Sequence, residues 1–176
     1  NAFVGRRFAS AGFATVVVNY RLSPAVTHPA HVQDAAASLA WVKRHIADYG
    51  GNADRLFVAV LGHPYGPNSE RGVFRSTDGG RTFAKVLFKD DYTSANEVLL
   101  DPRNPNVIYA TLWSQQQSFI EGQGFGNAGM GIFKSTDGGT TWTQLGEGLP
   151  AVLQANIAIA PSDPNILYSV IAPGQG

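Results

Sequence analysis

Several groups of side chains in this sequence have the types and spacing to do chemistry. His28 and His31 flank Pro29 and Ala30 and could offer two imidazoles to a metal, but no third ligand stands nearby and a loop entering a helix accounts for both. Asp90, Asp91, Glu97 and Asp101 could gather oxygens around calcium. That ion takes roughly six to eight of them, and no EF-hand pattern accompanies these carboxylates, so solvated loop charge is the expectation. Tyr92, Trp113, Phe119 and Phe125 could form an aromatic platform for sugar rings. Core packing explains Trp113 equally well, which leaves Phe119 and Phe125, in a stretch rich in Gln, Gly and Asn, as candidate ligand contacts. His63 and Tyr65 read as loop residues rather than a general base. No metal, no cofactor and no complete catalytic set are expected.

The most regular spacing is Ser76-x-Asp78-x-Gly80-x-Thr82-Phe83, which returns as Ser135-x-Asp137-x-Gly139-x-Thr141-Trp142. A short carboxylate accepts hydrogen bonds from turn amides, glycine adopts positive φ without a Cβ penalty, and an aromatic residue can pack beneath. Those needs account for every residue in the pattern without a substrate, so Asp78 and Asp137 are assigned to turn structure rather than to catalysis.

Strands must hold such turns, and the wider sequence supplies them. Residues 72–83 return as 131–142 and residues 101–109 as 160–168, in both cases 59 positions later; two separated blocks with one period indicate a structural repeat. Each unit holds an aromatic-bearing strand (56–60, 108–112, 167–171), a Gly-aliphatic-Phe strand, the Asp-Gly-Gly turn, a Phe or Trp strand, and a strand before a proline turn. That is the strand content of one propeller blade.

Composition bounds the rest. A 44% hydrophobic share with 15% charged residues describes a chain that folds, and 20 glycines with 10 prolines point to many turns. Thirteen basic and thirteen acidic residues cancel, so no global field draws the chain to nucleic acid or to an anionic membrane. With no cysteine there is no disulfide framework and no thiolate metal site, and redox chemistry says nothing about compartment. The longest apolar run, at residues 14–18, falls far short of the roughly 20 residues of a membrane span. A start at Asn1 rather than Met reads as a processed or truncated chain, and secretion stays open.

The first third follows a different pattern. Residues 3–11 read as the end of a helix closed by Gly12, and 14–20 as a β-branched strand buried on both faces of a parallel sheet. Val32, Ala36, Leu39, Val42 and Ile46 recur at helical spacing up to Gly50-Gly51. A strand at 55–60 completes an order typical of a doubly wound sheet. Gly12-Phe13, Val17-Val-Asn-Tyr-Arg-Leu-Ser-Pro24, His28-Pro-Ala-His-Val-Gln-Asp34, Trp41-Val42 and Tyr49-Gly-Gly-Asn-Ala-Asp-Arg55 fall in the order found in the esterase and lipase branch of the α/β-hydrolases. Over residues 1–59 the chain resembles that family, with carboxylesterases and kynurenine-formamidase-like enzymes as the nearest kinds. The resemblance implies a Gly-x-Ser-x-Gly nucleophile elbow after the strand. Gly62-His63-Pro64-Tyr65-Gly66 keeps the glycines but puts Pro64 where the serine would stand, and proline has neither a nucleophile nor the φ freedom of an elbow. The oxyanion-hole glycines that the resemblance implies would precede Asn1, and no acid or histidine partner is recognised after the elbow.

The repeated pattern resembles the Asp box, or bacterial neuraminidase repeat, of sialidases, xyloglucanase-type glycosidases and sortilin-like propellers, with the sortilin-like group nearest because of residues 62–72. Together the two resemblances imply a mixed α and β chain: a partial α/β-hydrolase-like unit at 1–55, then two four-stranded antiparallel β-propeller blades plus one further strand at 56–176. Asp54-Arg-Leu-Phe-Val58 is where one resemblance passes into the other, and a recombined or misassembled reading frame, or a deliberate chimera, with its junction between Gly51 and Gly62 would explain the mosaic. Three functions stay open: a non-catalytic module contacting glycan or protein, a carboxylesterase-type hydrolase, and a propeller glycoside hydrolase. Bare repeat faces lead to an expectation of self-association.

Overall fold

The structure is a computed structural model that describes residues 21, 25–27, 29–62, 66–114, 129–160 and 162–173. The expected helix at 3–11 and strand at 14–20 lie outside the described residues. By contacts the chain divides into two compact units, Asn1–Leu56 with Thr77–Arg81, and Phe57–Ser76 with Thr82–Gly176.

In the first unit, α1 spans Ala30–His45 and continues as a 3-10 turn over Ile46–Tyr49. The segment is rich in alanine, the best helix former, and its last turn holds Lys43 and Arg44, cations placed where the helix dipole is negative. Gly50 then takes φ 80° and stops the helix. The apolar stripe read from the sequence forms on α1 but is only partly covered: Leu39 is 57% exposed. Helical spacing shows which residues share a face, while burial of that face depends on what packs there.

The second unit is built from antiparallel strands. The strands are β1 (Leu56–Val60), β2 (Gly72–Ser76), β3 (Ala84–Leu87), β4 (Thr93–Leu100), β5 (Ile108–Ser114), β6 (Gly131–Ser135), β7 (Thr143–Leu145), β8 (Val152–Ile159) and β9 (Leu167–Pro173). They make three sheets, of order β1-β2-β3, β4-β5-β6-β7 and β8-β9. The period of 59 runs through them: β2 and β6 start at 72 and 131, β4 and β8 at 93 and 152, β5 and β9 at 108 and 167.

The grouping of strands differs from the one expected. A repeat that starts on its aromatic-bearing strand would put β5 to β8 in one sheet. Instead β4, the strand before the proline turn, pairs with β5, the strand after it. The reason is local. In the turn between them Asp101 N–H donates to the Val107 carbonyl at 2.9 Å and Val107 N–H to the Asn104 carbonyl at 2.9 Å, which closes a tight hairpin. Ala160 to Ile166 and Ile166 to Asp163 repeat both bonds, at 3.0 and 2.9 Å. A closed hairpin makes its two strands neighbours, so the complete four-stranded unit begins at β4.

The middle sheet is covered on both faces. Ala110, Leu112 and Phe133 join Val73, Leu87 and Ala95 in one apolar cluster, while Tyr109 and Ile132 join Ala155, Ile157 and Ile159 in another. Alternate residues of β5 and β6 thus serve opposite faces, as the period of a strand requires. In β8 the burial instead alternates between buried Ala155, Ile157 and Ile159 and exposed Asn156 and Ala158, because only one face of its sheet is covered.

Candidate functional site

The second Asp-box turn shows what its residues do. The Asp137 carboxylate accepts from the Thr140 and Thr141 amides, both at 2.9 Å to Oδ1, and from the Thr141 hydroxyl at 2.7 Å to Oδ2. Ser135 Oγ donates to Asp137 Oδ1 at 2.8 Å and accepts from the Gly139 amide at 2.9 Å. Trp142 Nε1 donates to the Gly139 carbonyl at 3.2 Å, and its ring packs against the cluster around Phe133. The bonds from Thr141 and Ser135 favour the charged carboxylate and hold Asp137 far below the ordinary aspartate pKa, with the Thr141 amide the largest cause. Such a group is a fixed acceptor with no proton to give near neutral pH.

The first turn repeats part of this. The Arg81 amide donates to Asp78 Oδ1 at 2.9 Å, and Gly79 and Gly80 take φ 69° and 82°, matching 72° and 83° at Gly138 and Gly139. Gly79 N–H donates to the Asp54 carbonyl at 3.2 Å, as Gly138 N–H does to that of Asn106 at 2.9 Å. Phe83 departs from the expectation of an aromatic residue packed beneath the turn: it is 44% exposed. Trp142 packs against the cluster between the first two sheets, whereas Phe83, just before β3, is not among the residues packed there.

The other candidates separate rather than converge. Asp90 caps its own turn, accepting from the Tyr92 amide at 2.8 Å and the Thr93 hydroxyl at 2.9 Å. Asp101 accepts from the Arg103 amide at 2.7 Å. Glu97 Oε2 accepts from the Ile157 amide at 3.0 Å and so ties β4 to β8. Among the described residues no group of three or more His, Asp or Glu could hold a metal. Tyr92 is 44% exposed and Trp113 half-buried on β5. Phe119, Phe125, His28, His63, Pro64 and Tyr65 lie outside the described residues, as do the side chains of His31 and Val32.

Arg71 was not singled out in the sequence. It is fully buried, donating to the Tyr92 carbonyl at 3.1 Å, Ser94 Oγ at 2.6 Å and the Gly66 carbonyl at 3.1 Å. Ser94 passes the chain on to the Leu61 carbonyl at 2.7 Å. Burial lowers the Arg71 pKa, partly offset by Asp90 and Asp91, and a buried guanidinium is tolerated because its Nη1 and Nη2 groups donate to these three acceptors. Only its place just before a Gly-aliphatic-Phe strand could have drawn attention to it. In the first unit, Arg21 Nη2 and Nε donate to the Asp34 carboxylate at 2.8 and 3.0 Å, an exposed fork that raises the arginine pKa.

Between the second and third sheets runs a groove of about 500 Å³. Ile132, Leu145, Leu149, Ile157, Leu167 and Ser169 line it. Its walls are mainly apolar and carry no pair of carboxylates placed for acid and base work.

Residues 1–67 match the BD-FAE family. Curated relatives agree with that match. The chain is 48% identical over 54 residues to a protein named probable carboxylic ester hydrolase LipM and 43% identical over 56 residues to one named esterase LipQ, both from Mycobacterium tuberculosis. It is 37% identical over 57 residues to a probable isoprenylcysteine alpha-carbonyl methylesterase from Oryza sativa subsp. japonica. The N-terminal segment is esterase/lipase-like. These matches cover 31%, 32% and 32% of the chain and 12%, 13% and 13% of the respective relatives. They lend nothing to the Asp-box reading of residues 72–173, which rests on the internal repeat alone. No solved structure matches the chain. No helix among the described residues is long and apolar enough to cross a membrane.

Proposed function

We propose that the chain joins a carboxylesterase-derived segment to a non-catalytic Asp-box repeat scaffold of propeller type, and that the scaffold presents surfaces to protein or glycan rather than turning over a substrate. The observation that carries this reading is the Asp137 carboxylate. The Thr140 and Thr141 amides and the Ser135 and Thr141 hydroxyls all donate to it, so its acceptors hold the turn.

The comparisons favour a second reading more than this one, a carboxylesterase-type hydrolase, because residues 1–67 match the BD-FAE family and the relatives carry esterase names. Against that reading in this chain stands Pro64, at the position where the resemblance calls for a serine nucleophile. One assay separates the two. Incubation with a short-chain p-nitrophenyl ester is expected to give no turnover above buffer, and turnover blocked by a serine-directed phosphonate would establish the hydrolase and overturn the scaffold reading.

A further inference from the structure

We infer that the esterase-like segment serves in this chain as the support of the first Asp-box turn, with Lys43 of α1 in the place that a basic residue of the preceding repeat takes at the second. This role rests on the scaffold reading and deepens it, because it gives the N-terminal segment a task other than ester hydrolysis.

The second turn shows what a preceding repeat supplies. Arg75 Nη1, from β2, donates to the Gly138 carbonyl at 2.7 Å and to Thr140 Oγ1 at 3.3 Å. Phe57, from β1, lies so near Gly139 that a Cβ there would stand 2.9 Å from Cε1 of its ring. β1 and β2 are strands of the first sheet, and Gly138 and Gly139 follow β6 of the middle one, so this turn is held from the sheet before it. Repeat units are stabilised by their neighbours, and a unit preceded by something other than a repeat needs a cap in that place.

The residues that precede the first Asp box here are esterase-like, and they meet its turn in the corresponding way. Gly79 stands 59 residues before Gly138, and both are buried. A Cβ at Gly79 would lie 2.7 Å from Lys43 Cε and 2.8 Å from Lys43 Nζ, with the Ala53 carbonyl oxygen next at 3.4 Å. The Lys43 stem therefore runs against the glycine whose counterpart Arg75 binds, and it brings a cation beside that glycine as Arg75 does. Lys43 can reach because it sits in the last turn of α1, on a flexible four-carbon stem. Grouping by contacts agrees: Thr77–Arg81 falls in one compact unit with Asn1–Leu56, while the second turn groups with the strands it joins. Lys43, Ala53 and Asp54, whose carbonyl accepts from the Gly79 amide, all lie in the segment that matches the BD-FAE family.

Hydrogen–deuterium exchange of the whole 176-residue chain, read by mass spectrometry on peptides covering residues 77–81 and 136–140, tests this role. Lys43→Ala keeps α1, since alanine is the better helix former. It is expected to speed exchange at 77–81 at least about fivefold and to leave 136–140 within about twofold. Arg75→Ala should act most strongly at the other turn, speeding 136–140 by a similar factor. Arg44→Ala, beside Lys43 on α1 and exposed, should leave both turns within about twofold, which separates loss of the Lys43 contact from a general loosening of the helix. Circular dichroism confirms that α1 is retained in both helix variants. Unchanged exchange at 77–81 in Lys43→Ala, equal acceleration of both turns, or the same effect from Arg44→Ala would overturn the proposal. Any of these without ester turnover leaves the scaffold reading standing; phosphonate-sensitive ester turnover would overturn that reading and this role with it.

Discussion

The middle sheet and the third sheet carry the same pattern 59 residues apart, yet their equivalent side chains live in different surroundings. Tyr109 is 4% exposed and Tyr168 65%; Thr111 is 1% exposed and Val170 79%. Both backbone bonds of the hairpin turn recur, and a side-chain contact recurs with them: Asn104 Oδ1 accepts from the Asn106 amide at 3.1 Å and Asp163 Oδ1 from the Asn165 amide at 3.1 Å. An earlier turn does the same, with Asn52 Oδ1 accepting from the Asp54 amide at 2.9 Å. Local sequence therefore fixes the hairpin, and the neighbouring sheet fixes burial. A repeat carries its own turns but borrows the cover for its faces.

The largest test of that division is Phe133→Ala. Phe133 is fully buried among neighbours from β4, β5 and the preceding sheet, so its loss should cost about 3–5 kcal/mol in chemical denaturation. Tyr168→Ala, on the exposed face of the third sheet, should stay within about 0.5 kcal/mol. Equal costs at the two sites would mean that the face carrying Tyr168 is covered as well.

A second contrast uses the glycines that open β2 and β6. A Cβ at Gly72, whose φ is 111°, would stand 2.2 Å from the Leu87 carbonyl oxygen, while one at Gly131 would meet the amide end of Gln144 at 2.7 Å. Backbone cannot move aside and a flexible side chain can. Gly72→Ala should thus cost about 1–3 kcal/mol and Gly131→Ala measurably less, as midpoints of urea unfolding would show. The reverse order would break the account.

The Asp-box turn gives a pH test. Asp137 is held below its unfolded pKa by the Thr141 and Ser135 bonds, so the unfolded chain binds the proton more tightly and stability rises with pH through this window. The contribution is fully present above the ordinary aspartate value of about 3.9 and is lost as pH falls towards the lowered folded value. Asp137→Asn should melt below the parent chain at neutral pH, and the gap should narrow as pH drops below that value. A gap that stays constant with pH would show that the carboxylate charge does not hold the turn.

How much of this was legible beforehand follows from what each feature depends on. The Asp-box residues Ser135, Asp137, Gly139, Thr141 and Trp142 declare themselves because a tight turn demands those types at those spacings, and the strands at 56–60 and 108–112 because apolar, β-branched and aromatic runs between turn residues admit little else. The partition of strands was not legible. It hinges on which connection closes as a hairpin, and although Asp101 and Asn104 mark a turn there, turn residues alone do not say which strands the turn makes neighbours in a sheet. Arg71 was also hidden, since a charged residue reads as surface until the carbonyls of Gly66 and Tyr92 are seen to enclose it. The exposed Phe83 and Leu39 show the same limit from the other side: spacing indicates a face, and only packing tells what covers it.

The smallest effect makes the sharpest comparison, because the two repeats supply each other's substitution. Thr111 Oγ1 is buried and has no hydrogen-bond partner, and a buried hydroxyl without a partner is a net cost. Val170 holds the equivalent place and is 79% exposed, so an apolar side chain stands in water while a polar one is buried. Thr111→Val keeps the branched shape and removes the unpaired hydroxyl, and should stabilise the chain by about 1 kcal/mol. Val170→Thr should change stability by no more than about 0.5 kcal/mol and should lower binding of a hydrophobic dye, since it removes an exposed methyl from the face beside Tyr168. Denaturation midpoints of the two single variants and of the double exchange would check both, with additivity expected for sites in separate sheets. If Thr111→Val destabilises instead, the hydroxyl has a partner that holds the middle sheet, and the contrast between covered and uncovered repeats no longer rests on packing alone.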